Sequence, residues 1–285
     1  MTTDRIPVRK TYKLWIGGAF VRSESGRSDV SGDVNIPRGS RKDVREAVAA
    51  ARKAARPWAA RTAYNRGQIL YRAAEALESR RAQLISVLEA GGGRAGGLGA
   101  AAELDAAVDV LVHYAGWTDK LQPVLGGINP VAAPFLSFSL PEPTGVVGVV
   151  AADQPSLLGL VAEVAPALAA GNTVVAILSE AAPHAGLDLA EVLGVSDIPG
   201  GVVNLLSGRR GELALALGGH RDLNAIVDAS GDPKLGVELD KLAAETIKRA
   251  SHHAAATSYE DAVDDALERI VAVTELKTAW HPVGA

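Results

Sequence analysis

Four short runs of apolar, mostly β-branched residues, spaced by helix-length segments, constrain this chain more than any other feature. They read GVVGVVAA at 145–152, NTVVAIL at 172–178, VVNLL at 202–206 and LNAIVD at 223–228. A strand with one wet face alternates apolar and polar residues, whereas an unbroken apolar run must be covered on both faces. Between these runs, Leu157–Ala170, Pro183–Leu193 and Gly211–Leu217 carry helical spacing. Strand and helix in alternation specify a parallel sheet with helices on both sides, an α/β fold.

The flanking segments are less uniform. Tyr12–Phe20 (YKLWIGGAF) reads as two short strands about a Gly17-Gly18 turn. Asp43 is expected to N-cap a helix that buries Val44, Ala47, Val48, Ala51 and Ala54 and stops before Pro57. Further helices are expected over Asn65–Glu78, Ser79–Glu89 and Ala100–Lys120. Ala133–Leu140 (APFLSFSL) alternates like a half-exposed strand. Pro233–Ala250 reads as one more helix, and Ser258 caps a last amphipathic one with Val263, Ala266, Leu267 and Ile270 on one face. Arg269–Trp280 begins in that helix and then alternates like an edge strand.

Composition removes several function classes. The 285 residues can bury one large domain plus an accessory element. They contain no cysteine, which excludes disulfides, thiolate metal sites and any thiol nucleophile within this sequence. A net charge of −4 argues against a nucleic-acid surface. No apolar run reaches the ~18 residues of a membrane span; the stretch 157–171 is interrupted by Glu163 and Pro166. Residues 1–13 are polar and basic, without the apolar core of a signal peptide. The expectation is a cytoplasmic protein that meets neither nucleic acid nor membrane.

Local motifs add little chemistry of their own. Gly91, Gly93 and Gly96 spell G-x-G-x-x-G, but a helix precedes them where a dinucleotide fingerprint needs a strand, so they read as an interhelical loop. Ser156 and Ser179 lack a neighbouring base and read as cap or turn residues. His252 and His253 are adjacent, so they do not converge on one ion, and they read as a solvated loop pair. Arg209-Arg210 after Gly208 could meet a phosphate at a helix start or simply face solvent.

Several blocks together resemble the aldehyde dehydrogenase family across most of the chain. These are LWIGGAF near the start, DVREAVAAARKAARPWAARTAYNRGQIL, LPEPTGVVGVVAA, VAPALAAGNTVV followed by Ser179-Glu180, and PGGVVNLLSG, in the family's order and spacing. The resemblance implies the family's NAD(P)-binding domain, a Rossmann-like parallel sheet that does not rely on G-x-G-x-x-G. It would cover residues 1–257, with a hairpin arm at about 130–143. The remainder, 258–285, would be a C-terminal helix and a strand of the small oligomerisation sheet. Carried over residue by residue, the resemblance points to Val150, Ala151, Ser179, Glu180 and Gly208 as cofactor-binding positions.

Departures from the family pattern set the functional expectation. Where the family has Pro-Trp-Asn, with the Asn in the oxyanion hole, this chain has Ala152-Asp153-Gln154; Gln154 keeps an amide, but an acid replaces the Trp. The family's Lys after the second sheet strand is Ile177, although Glu180 remains. Its Phe-Thr-Gly-Ser turn becomes Asp228-Ala229-Ser230-Gly231. The Glu-Leu-Gly-Gly motif with the general base, and the catalytic domain with the Cys, are not found, and VTELKTAW (273–280) resembles the family's C-terminal strand. The chain is therefore expected to be a catalytically inactive structural or regulatory subunit, a homo-oligomer or a hetero-oligomer with a full-length aldehyde dehydrogenase. Binding of NAD or NADP is expected to be weak or vestigial. A stand-alone NAD(P)-binding module or sensor is the first alternative, and an oxidoreductase acting on aldehydes is the second.

Overall fold

The computed structural model describes residues 8, 10–31, 34–91 and 97–283. β1 (Leu14–Ile16) and β2 (Ala19–Val21) pair antiparallel around Gly17 and Gly18. Both glycines take positive φ, and a Cβ on Gly18 would meet the Gly200 backbone at 2.6 Å, so this turn is closed to larger residues. β3 (Ser28–Ser31) and β4 (Val34–Pro37) form a second hairpin that the sequence pattern does not announce, being short and half polar.

α1 (Arg41–Ala59) starts one turn earlier than the residues suggest. Ser40, not Asp43, is the N-cap, and Asp43 sits at the third helical position. Each bonds the other's backbone, Asp43 N to Ser40 Oγ at 3.3 Å and Ser40 N to Asp43 Oδ2 at 2.8 Å. Asp43 also accepts from Ser23 Oγ and from the Glu24 amide, which explains an aspartate only 1 % exposed. The helix also continues through Pro57. In the last turn a proline forfeits a single helical bond, and buried Trp58 holds that turn against the core.

α2 (Ala63–Ser79), α3 (Arg81–Ala90) and α4 (Ala100–Trp117) follow, then the single turn α5 (Leu121–Leu125). Gly93 and Gly96 lie outside the described residues, and so does the loop expected around them. β5 (Gly127–Asn129) pairs with β6 (Phe135–Pro143), which runs through Pro141 and Pro143 rather than ending before them. The amide of Thr144 donates to Val273, so the even-numbered amides face the partner strand on that side. The two prolines therefore lack donors only on the side where β5 has already ended.

The four apolar runs become β7 (Val146–Val150), β8 (Thr173–Ile177), β9 (Val203–Leu206) and β10 (Ala225–Asp228), each buried at every residue. α6 (Leu158–Ala169), α7 (His184–Leu193), α8 (Arg210–Gly218) and α9 (Pro233–Ala244) connect and cover them. α9 ends at Ala244, six residues short of the expected helix. Ile247 adopts φ +54°, and β11 (Arg249–His252) then adds a parallel edge strand beside β10. Its composition, RASH, carries no apolar signal because an edge strand is paired on one side only. The sheet order is β11-β10-β7-β8-β9-β1-β2, parallel except for β1 and β2.

The C-terminal segment holds two short helices where one was expected, α10 (Tyr259–Val263), capped by Ser258, and α11 (Ala266–Ala272). β12 (Thr274–Pro282) pairs with β6 along all nine residues, giving a separate sheet in the order β12-β6-β5. Asn172, fully buried, joins the two sheets: its Oδ1 accepts from Gly145 N at 2.8 Å, and its Nδ2 donates to Val273 O at 2.9 Å. No helix among the described residues is long and apolar enough to cross a membrane.

The cap assignment is checkable by chemical denaturation. Ser40→Ala should lose about 1 kcal/mol, the usual cost of an N-cap. Asp43→Ala, which also strands the Ser23 and Glu24 donors, should lose roughly 2 kcal/mol or more. A silent Ser40→Ala would return the cap to Asp43.

Candidate functional site

Open parallel sheets present their ligand crevice at the carboxyl ends of the strands, where connecting loops diverge. Here that crest is bridged by the chain's own charges. Asp153, in the loop after β7, accepts from the amides of Glu180 at 2.9 Å and Ala181 at 3.2 Å, beyond β8. Arg210, the first residue of α8, reaches it with both guanidinium ends: Nη1 to Oδ2 at 2.8 Å and Nη2 to Oδ1 at 2.6 Å. Arg210 also donates to the Ala151 carbonyl at 3.3 Å. Glu180 completes the lattice, accepting from the backbone N–H of Arg210 at 2.7 Å and from Arg209 Nη1 at 3.1 Å. Arg209 lies within 3.4 Å of Asp29 as well.

Three strand ends are thus tied by two carboxylates and two guanidiniums. Partial burial alone would raise the Asp153 pKa. The hydrogen bonds and charge of Arg210, together with the two amides, outweigh it and hold the carboxyl below its ordinary value of 3.8. The carboxylate of Glu180 occupies the N-terminus of α8, a position whose free amides and helix dipole favour an anion.

The sequence-derived positions do gather here, each already engaged. Val150 is buried at the end of β7. Ala151 N donates to Ile177, and its carbonyl is taken by Arg210. Ser179 Oγ donates to Asp153 O at 2.9 Å and accepts from Ala182 N at 2.8 Å, so it is a turn residue. Gly208 takes φ +147°, and a Cβ there would press on Gly39 N at 3.0 Å, so the segment before α1 already fills its open side. Gln154 is half-buried in the loop before α6. Arg209 and Arg210, expected to face solvent or a phosphate, instead pair with Glu180, Asp29 and Asp153. Nothing local in the sequence announces this, because each partner lies 29 or more residues away.

A second cluster, at the ends of β10 and β11, was not legible in the sequence. His252 and His253 belong to the sheet edge rather than to a solvated loop. His252 Nε2 lies 2.8 Å from Asp240 on α9, and its Nδ1 lies 3.6 Å from Asp228. The hydrogen bond to Asp240, with the charges of Asp240 and Asp228, raises its pKa against the effect of burial. His253 Nδ1 lies 2.6 Å from Glu163, which is buried in α6. A cleft of about 490 Å³ opens beside His252, Asp228 and the start of α9. Among the described residues no group of three or more His, Asp or Glu could hold a metal ion.

The crest lattice makes a signed prediction. Because the folded-state pKa of Asp153 is depressed, its contribution is complete above the ordinary value and fades as pH falls through the folded value. Asp153→Asn should therefore cost about 1–2 kcal/mol at neutral pH, after allowance for its partial exposure. That gap should close in acid. Unfolding curves with a gap independent of pH would remove the carboxylate from this role.

Known proteins match this architecture. A sequence model of the aldehyde dehydrogenase family matches residues 28–273. Aldehyde dehydrogenase, cytosolic 1 of Elephantulus edwardii is 30% identical over 220 residues, covering 76% of this chain and 43% of that protein. Aldehyde dehydrogenase 1A1 of Equus caballus is 30% identical over 251 residues, covering 86% and 49%. Among solved structures, the NAD+ complex of aldehyde dehydrogenase from Bacillus cereus superposes with a TM-score of 0.79 at 27% identity, covering 86% of this chain and 51% of that one. PnpE in complex with nicotinamide adenine dinucleotide gives a TM-score of 0.80 at 28% identity, with the same coverage. The chain spans about half the length of these relatives. With the family model matched over most of its length and the fold shared, the chain belongs to the aldehyde dehydrogenase family.

Proposed function

We propose that this chain is a non-catalytic structural or regulatory subunit of a cytoplasmic aldehyde dehydrogenase assembly, paired with itself or with a full-length member of the family. The observation that carries the reading is the small sheet. β12 lies at its edge, nine residues long, with no strand paired to its outer side among the described residues; of its outer carbonyls, Thr274 O accepts from Arg249 Nη1 at 2.7 Å. Residues directly opposite in an antiparallel pair share a face, so Phe135, Leu276 and Trp280 stand together on one side, exposed by 39%, 59% and 60%. On the other face Ile128 and Leu136 are exposed beside the Lys277–Glu142 ion pair. A long edge strand with apolar neighbours on both faces is a liability unless another chain covers it. The lack of a cysteine supports the non-catalytic part, because a thiol-based acyl transfer has no nucleophile in this sequence.

Dinucleotide binding, in this reading, is weak or vestigial. The ribose-binding role that family resemblance gives Glu180 competes with its bond to the Arg210 amide, and Ile177 offers no cation at the Lys position. Entry of a dinucleotide phosphate at α8 must displace a charge-assisted contact worth about 1.5–3 kcal/mol, or roughly one to two decades of affinity.

Two measurements test this proposal. Light scattering should find an oligomer for the intact chain and a smaller species once residues 273–285 are removed; an unchanged mass would refute assembly through β12. Isothermal titration with NAD and NADP should show no binding tighter than about 10² μM, since ordinary family-level binding loses the decades just estimated. Micromolar binding of either dinucleotide would favour a stand-alone binding module instead.

A further inference from the structure

A cavity of about 440 Å³, within the size range of small-molecule sites, lies where the end of α1 meets the amino end of β9. The Gly17 turn and the loop Pro199–Gly201, which leads into β9, form one wall. The other is a stripe of α1 in which Lys53 and Pro57 stand four residues apart, with Trp58 beside them and Arg61 just past the helix end. A Cβ on Gly201 would meet Ala50 O at 2.7 Å, so only glycine lets the loop come this close to the helix. Gly208 and the crest lattice are at the other end of β9, so the cavity is separate from them.

Trp58 is 1 % exposed, yet its indole N–H has no hydrogen-bond partner among the described residues. A buried tryptophan ordinarily satisfies this donor, because leaving it unmade forfeits the bond it makes to water. Trp58 borders the cavity, so an acceptor seated there can supply the missing bond. The charged residues of the lining are Lys53 and Arg61, and no carboxylate joins them. Arg61 Nη1 donates to Asn65 Oδ1 at 2.7 Å, which leaves most of its five donors unused among the described residues. The negative end of the α1 dipole would oppose an anion here. Arg66 offsets it, its Nη1 donating to Arg61 O at 2.7 Å and to Ala59 O at 3.4 Å. The rest of the wall is proline, alanine and glycine.

We propose that this cavity binds a small monocarboxylate with an apolar body. One carboxylate oxygen accepts from the Trp58 indole N–H, and the other is paired with Lys53 and Arg61 at the rim. The hydrocarbon part lies against Pro57 and Pro199, which offer surface but no donor. The unmet indole donor selects for an acceptor, the two cations for a negative charge, and the apolar wall for a ligand that is more than its charged group. A phosphate ion fits less well, because its additional oxygens find no donors on proline and alanine. Binding here does not depend on how the chain assembles, nor on whether a dinucleotide reaches the crest.

The test follows the Trp58 indole resonance in proton–nitrogen correlation spectra of the intact, isotope-labelled chain, identified by its loss in Trp58→Phe. Phenylacetate should shift it with a Kd of about 1 mM or tighter. Phenylacetamide, of the same shape without the charge, should bind about tenfold more weakly, and inorganic phosphate should leave the resonance in place. Lys53→Met and Arg61→Met, which leave Trp58 packed as it is, should each weaken phenylacetate several-fold by isothermal titration. Together they should remove its advantage over phenylacetamide, a readout that stands even where Trp58→Phe does not fold. Three results would overturn the site: a Trp58 resonance unmoved at about ten times the expected Kd, a response to phenylacetamide or phosphate equal to that with phenylacetate, or an unchanged affinity in the double variant.

Discussion

One buried amide holds the two halves of this molecule in a fixed relation. Asn172 sits where α6 ends and β8 begins, with no solvent contact, so its side chain must find protein partners. It finds them in Gly145 at the start of β7, in Ala167 in the last turn of α6, and in Val273 just before β12. The first two belong to the Rossmann-like sheet and the helix that covers it, and the last leads into the strand that completes the small sheet. Thr144 repeats the junction through its own bond to Val273. The arm therefore emerges from the main sheet at a point fixed by hydrogen bonds that cannot be exchanged for water.

The parts of the fold that were legible are those specified by burial. Runs such as GVVGVVAA admit one environment, a strand covered on both faces, and β7 to β10 lie where the runs are. The parts that were not legible depend on partners distant in sequence. β11 reads as the end of a helix because Arg249, Ser251 and His252 carry no apolar pattern; the ladder to β10 supplies what composition does not. Ser40 and Asp43 are both good caps, and the choice between them is made by Ser23 and Glu24, which arrive from the loop between β2 and β3. Gly208 resembles a phosphate-approach glycine, but Gly39 packs against it instead.

The crest of the sheet shows how a shared fold can keep its geometry while its surface chemistry turns inward. Glu180 retains the position that family resemblance would give a ribose-binding acid, yet its carboxylate lies on the first amide of α8. Arg210 reaches back over the strand ends to Asp153. Neither arginine has a local reason to be recognised as structural, since an Arg-Arg pair after a glycine invites a phosphate. Only the placement of Asp153 in the β7 loop, where the family carries a Trp, reveals what the charges serve.

The pairing of β6 with β12 has a consequence for the order in which the chain acquires its structure. Ser139 and Thr278, bonded across that ladder, are 139 residues apart. During synthesis at about 5–20 residues per second, β6 must wait roughly 7 to 28 s before its partner strand exists. Throughout that interval the β5–β6 hairpin is an open template on a nascent chain whose Rossmann-like part can already collapse. β12 therefore closes the sheet long after β6 has been made, and a second chain met before that moment competes with the protein's own β12 for the same edge.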